Sequence, residues 1–465
     1  MGRKLGFLLL LLAFGATVET AWSVKHNARW DIGAEGCRII GGKFYGPAFA
    51  FDDETTRALA TPSPVAVENA FGSVTVGTGA AGQVRVQIKK RVFRPTRELA
   101  EEFARKIQVV VEEKDGGLRV TTNREELART NPDVGFETEL TLELPPGTRV
   151  AVKNEHGRVE VNDVAEATID NAFDSLKVER VAGRADLKQR HGDLEVGEVG
   201  GPLTIVARHG DVTVRGVAGQ GRLDAEHGDV RVEGSASLVV KLAHGGLDVK
   251  TVAGDLDVEA EHSEVNVRNV TGTARVATSF DSVTVEGVGG AATLRSEHGH
   301  VTARDVKGAV TVDARFDGVT LETIGGPVQV KVVHGGLEAD GLASGLEVES
   351  EGDAVDLRHI RGPVAVKAQR GDVSLGPDGP LTETVNIETT HGAIRLEVPP
   401  GSRFELDASA RHGDLEVDLP GAAGVTREHG TSTLKATVGG GGNRVLLRAE
   451  RGDVRVTRRS DAASF

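Results

Sequence analysis

The sequence predicts an all-β chain, a single-stranded parallel β-helix (β-solenoid) with coils of about 18 residues and a short helix near its N-terminal end. Ring residues recur first: His156, Phe173, His191, His209, His227, His244, His262, Phe280, His298, Phe316 and His334 follow one another at spacings of 17 or 18. Between rings, the apolar positions also repeat. After His191 they are Leu194, Val196, Val199, Leu203, Ile205 and Ala207, and after His298 they are Val301, Ala303, Val306, Val310, Val312 and Ala314, at the same offsets. Finally, 60 of 465 residues are glycine and only 17 are aromatic (Phe 14, Trp 2, Tyr 1), which suits many tight turns and no helical bundle. Steps of two are the side-chain period of a strand, so each coil holds a short strand, a turn and a longer strand. One coil cannot enclose a core, whereas coils stacked in register share one.

The elements follow in order. Arg3 and Lys4 precede an apolar run from Leu5 to Val18, and small Ala21 and Ser23 stand before Val24. Residues 1–23 therefore read as a secretory signal peptide, its apolar run shorter than the ~20 residues that span a bilayer. Residues 24–63 have no period and read as irregular. Residues 64–155 read as a less regular part of the β-helix: Asn69-Ala70-Phe71-Gly72-Ser73 repeats as Asn171-Ala172-Phe173-Asp174-Ser175, which puts Phe71 in the ring series and the start near Pro64. Leu99, Phe103 and Ile107 stand at helical steps and predict an inserted helix over 97–107. Residues 156–370 carry the regular repeat, about twelve coils, and the handedness of parallel connections favours a right-handed winding. Glu351 and Arg370 extend the ring series, and His391, His412, His429 and Arg451 follow at looser spacing over 371–465, the less regular C-terminal coils and tail. Leu142-Glu-Leu-Pro-Pro-Gly147 and Leu396-Glu-Val-Pro-Pro-Gly401 each lead into a His-Gly pair and suggest a duplication.

Eleven of the fourteen histidines lie in the ring series. A metal reading is tempting, because imidazoles on neighbouring coils could converge on zinc. The same slot, however, takes Phe71, Phe173, Phe280 and Phe316, which have no lone pair to give. The slot selects a flat ring, and the series reads as a structural ladder whose rings continue the inward parity of Val310, Val312 and Ala314. The Gly-Asp pairs at 192–193, 210–211, 228–229, 371–372, 413–414 and 452–453 read as turns capped by the Asp side chain, since the glycine-rich calcium nonapeptide is absent from the regular coils. No nucleophile elbow, zincin motif or phosphate loop is present. No catalytic residue, metal or cofactor is assigned. A net charge of −14 opposes nucleic-acid binding, and the cluster Arg451, Arg455, Arg458 and Arg459 reads as a solvated edge. A lone Cys37 excludes an internal disulfide and reads as incidental.

Val65-Ala-Val-Glu-Asn-Ala-Phe-Gly-Ser-Val-Thr-Val76, the Leu-Glu-Leu-Pro-Pro-Gly segment and the recurrent His-Gly-Asp-Val/Leu units resemble the bacterial putative-adhesin family of secreted β-helix proteins, a domain of unknown function, over about residues 64–458. That resemblance implies a bacterial envelope or surface protein and supplies no catalytic or ligand residues. The resulting expectation is a noncatalytic protein of the periplasm, envelope or cell surface, adhesin-like, with no membrane span once its leader is removed. Its partners would be envelope glycans or surface proteins. Two alternatives stand beside it: a scaffold that self-associates end to end, and a carbohydrate-active β-helix enzyme.

Overall fold

The computed structural model describes residues 38–40, 43–45, 47–59, 63–114, 116–420 and 425–459. The leader 1–23 and Cys37 lie outside them. The chain divides into two compact units, Met1–Gly192 and Asp193–Phe465, and both are built from parallel 18-residue coils. In the second unit, Leu194 pairs with Val212 and Val212 with Val230, one coil apart each time. The regular coils alternate two strands: Leu203–His209 is followed by Val212, and Val310–Ala314 by Val319–Ile324. Alternate residues along them are buried, so the valines and leucines of successive coils share one interior.

The step from offset five to offset eight breaks the two-residue period, and its cause is a left-handed residue at offset seven. Asp163, Arg180, Glu198, Thr251, Asn269, Asp305, Thr323 and His359 have φ between 50° and 61° there, with Gly216, Gly234, Gly287 and Gly341 in the same place on other coils. The left-handed turn swings the next residue inward, which is why Val199 and Val306 are each 1% exposed.

In the first unit the outermost coil is not the first in sequence. Gly117–Thr122 and Gly135–Leu144 pair in parallel with Val65–Phe71 and Val74–Thr78, whose other edges pair with Arg149–His156 and Val159–Val164. The chain therefore leaves Leu144, runs through Pro145-Pro146-Gly147 and enters Arg149 two slots further on, passing a slot that an earlier segment fills. The second unit does the same with the order reversed. Ile394–Val398 leads through Pro399-Pro400-Gly401 to Phe404–Arg411, and the slot between them is filled by the later Asn443–Arg451 and Val454–Arg458. The two turns share their geometry: Thr148 Oγ1 donates to the Pro145 carbonyl at 2.6 Å, Ser402 Oγ to the Pro399 carbonyl at 2.7 Å, and Gly147 and Gly401 both have φ 79°.

Two expectations change, and one element was not foreseen. Residues 24–63 are not wholly irregular, because Ala48–Ala58 is a strand paired antiparallel with Gln83–Phe93. Its run Asp52-Asp53-Glu54-Thr55-Thr56 shows no period because the strand lies at an exposed edge and is held by its backbone. The helix spans Arg97–Ala104, not 97–107, with Thr96 as its N-cap. It buries Ala100, Phe103 and Ala104, while Leu99 is 43% exposed and Ile107 is buried beyond its end. A second helix, Arg124–Thr130, has no counterpart in the sequence reading.

The left-handed positions yield a stability test. A β-branched residue at positive φ carries strain that glycine does not. Thr323→Gly is expected to stabilise the protein by about 1 kcal/mol in denaturant melts, whereas Thr320→Gly, at an extended position of the same strand, should destabilise it.

Candidate functional site

The ring series forms a column in each unit, at the corner between the two strands of a coil. In the first unit Phe71, His156, Phe173 and His191 stack with centroids 4.3, 4.7 and 4.9 Å apart. The guanidinium of Arg124 lies 4.5 Å from the Phe71 ring and 4.3 Å from Phe136, closing that end of the stack with a cation–π contact. In the second unit His209, His227, His244, His262, Phe280, His298, Phe316 and His334 follow at 4.5–5.6 Å. Most neighbours there are near parallel, and His209–His227 is edge-on.

The rings do not continue the inward face. Phe173, Phe280 and Phe316 are 37%, 40% and 54% exposed. Strict alternation fails at the corner, where the glycine that follows the ring turns the backbone at positive φ. Gly192, Gly228 and Gly299 have φ between 114° and 139°, and a Cβ on any of them would meet a carbonyl oxygen of the coil below within 2.4 Å. The backbones of neighbouring coils approach closely at the bend, and the ring stands outside it.

Two members of the extended series are also displaced. The residue in register with His334 is Gly352 rather than Glu351, since Val332 pairs with Ser350. His429 sits in the hairpin between Thr426–Glu428 and Thr431–Val438, away from the column. Arg370, His391 and Arg451 do share one register, and Arg451 donates to His391 Nε2 at 2.9 Å.

Stacking decides what the column can bind. Ring faces cover one another, so the edges are what solvent meets. A metal takes an imidazole lone pair near the ring plane, and near-parallel planes such as His227 and His244, 11° apart at 4.9 Å, share no such point. No group of three or more His, Cys, Asp or Glu among the described residues is placed to hold a metal ion. Nor is any helix among them long and apolar enough to cross a membrane.

Beside the column runs a row of aspartates. Asp193 Oδ1 accepts the Asp211 N–H at 3.1 Å, Asp211 accepts Asp229 at 2.9 Å, and Asp229 accepts Gly246 at 3.0 Å. Asp372 and Asp453 do the same for Ala393 and Asp414. Each carboxylate caps an amide of the neighbouring coil. The C-terminal arginines are paired too: Arg455 with Glu416 at 2.8 Å and Arg459 with Glu397 at 3.5 Å.

Two residues before the rings of the first unit lies a feature that the sequence reading missed. Asn69 Nδ2 donates to Asn154 Oδ1, Asn154 to Asn171, and Asn171 to Gln189, at 3.0–3.1 Å. All four are at most 5% exposed. The same amides also reach corner carbonyls, such as Gly72 and Gly157. The available signal was the repeated Asn-x-Phe/His spacing, overshadowed by the rings themselves.

On the outer face of the second unit a groove of about 600 Å³ runs across five coils. Glu349, Lys367, Glu388 and Arg448 cross it in register, with alternating charge.

The Toastrack DUF4097 family model matches residues 72–312 and again 289–457. The chain belongs to that family. Within this Toastrack chain, each Pro-Pro-Gly slot change lies inside one match. The comparison with curated proteins finds no match. Among solved structures, a "putative cell adhesion protein" from Clostridium sporogenes ATCC 15579 is aligned over 88% of this chain and 100% of its own, at 9% identity and a TM-score of 0.14, a score that carries no argument about this chain.

If the Toastrack column needs flat rings and not nitrogen, His209→Phe and His227→Phe should leave the melting temperature nearly unchanged. His298→Ala, which removes stacks on Phe280 and Phe316, should cost about 1–3 kcal/mol.

A second test concerns pH. Asp255 accepts the N–H and hydroxyl of Thr273, both at 2.8 Å, and these bonds hold its carboxyl below the usual range. A depressed folded-state value contributes stability above the ordinary carboxyl pKa and loses it as pH falls through the folded value. Acid titration of unfolding should therefore show a smaller loss on this limb for Asp255→Asn than for the unaltered protein.

Proposed function

We propose that this Toastrack chain is a secreted, noncatalytic β-solenoid of the bacterial envelope or surface, adhesin-like, which offers an extended regular face to envelope glycans or surface proteins. The observation that carries the reading is repetition on the outside. The ring column, the aspartate row and the in-register charged rows recur coil after coil, and repetition of this kind makes a long contact surface without a pocket. The Arg3-Lys4 start and the apolar run to Val18 supply the export half of the reading.

Cell fractionation with protease shaving of intact cells, followed by capture of copurifying material on the mature chain, tests it. The expected result is protein in the envelope or exposed at the surface, and saturable binding by monomers to an envelope glycan or surface protein. A cytosolic, protease-protected product would overturn the location. Turnover of a polysaccharide that stops when one outward carboxylate is removed would overturn the noncatalytic assignment, and concentration-dependent filaments would replace the binding role with a scaffold.

A further inference from the structure

We infer that the free edge of the strand Leu415–Asp418 is a strand-addition site for an extended peptide that alternates aliphatic and basic residues. The site stands apart from the envelope reading, since it rests on the end of one unit.

Elsewhere the outermost coils are covered. Gly117–Thr122 is covered by antiparallel Val109–Lys114, Gly135–Leu144 by Gln83–Phe93, and Phe404–Arg411 by Thr431–Val438. Leu415–Asp418 pairs on one side with Val454–Arg458. Its other edge meets no strand among the described residues. The alternate N–H and C=O groups that face this edge form a template for another chain.

The side chains agree with the backbone. Leu415 and Val417 point toward the interior but are only half-buried, while their partners Val454 and Val456 are 0% exposed. Among the described residues no strand covers this end of the apolar column. On the outer side Asp414, Glu416 and Asp418 form an acidic row, with Arg427 3.7 Å from Asp414, Arg455 2.8 Å from Glu416 and Asp418 at its end.

The strand on the paired edge displays the matching chemistry. It reads Val454-Arg455-Val456-Thr457-Arg458, with valines inward and Arg455 Nε 2.8 Å from Glu416 Oε2. A second copy of Leu415–Asp418 fits badly. Antiparallel pairing that keeps the same residues inward sets Glu416 against Glu416, or against Asp418, of the other copy, and like charges directly opposite are destabilising. An alternating aliphatic-basic segment has neither fault: main-chain bonds hold it, apolar residues cover Leu415 and Val417, and basic residues face the acidic row.

The test uses the full chain and a fluorescein-labelled synthetic peptide with the sequence of residues 453–459, Asp-Val-Arg-Val-Thr-Arg-Arg, read by fluorescence anisotropy. Saturable binding is expected, weakening with salt, and about tenfold weaker for the peptide with its arginines replaced by glutamate. Val417→Lys should abolish binding. Asp418→Lys, on the exposed face where folding is not at stake, should weaken it about as much as the altered peptide does, with both variants' circular dichroism unchanged. Absence of binding would overturn the proposal, as would equal binding of the glutamate peptide or full binding to Asp418→Lys. Dimerisation of the full chain by light scattering that Val417→Lys removes would give the edge to a second copy instead.

Discussion

Register is the constraint on which this structure depends. Parallel strands one coil apart place residue i directly against residue i+18, so whatever side chain the sequence repeats becomes a continuous column. Apolar residues in register make a dry interior, amides make a hydrogen-bonded chain, rings make a stack and carboxylates cap the next amide. Each column in turn resists slippage, because a shift by one residue would carry the whole inward set to solvent. The Asn69, Asn154, Asn171 and Gln189 series is the strictest of them, since a buried amide left without its partner costs about 1–3 kcal/mol.

The same logic separates what was legible in the sequence from what was not. The coil length, the inward valines and the Gly-Asp turns are local facts repeated many times, and they could be read directly. Ring direction was misjudged because the two-residue period was carried past the corner, where Gly192 and its equivalents turn the backbone at positive φ. The strand Ala48–Ala58 escaped notice for a different reason: it packs few side chains, so its sequence holds no apolar period. The helix was visible through Phe103, while Leu99 matched the spacing without sharing the buried face.

Order of stacking was the least legible feature. Leu-Glu-Leu-Pro-Pro-Gly and its partner were recognisable as a matched pair, yet that the chain passes over a slot at each of them is a relation between distant segments. Nothing within Pro145-Pro146-Gly147 names Val65–Phe71 as the occupant of the passed slot. The proposed function was less legible still, because repetition makes the outer face of one coil much like the next and singles out no position as a site.

The passed slot at the C-terminal end also sets a timetable. The coil at Phe404–Asp418 rests on Asn443–Arg458, a segment that leaves the ribosome later. While synthesis is under way, the outer coil has no neighbour to lie on, and the preceding coil at Val385–Val398 has no lid. Closure of that end thus waits for Asn443–Arg458 to emerge, and a protein cut short before Asn443 would present open strand edges to whatever chaperone or protease meets it first.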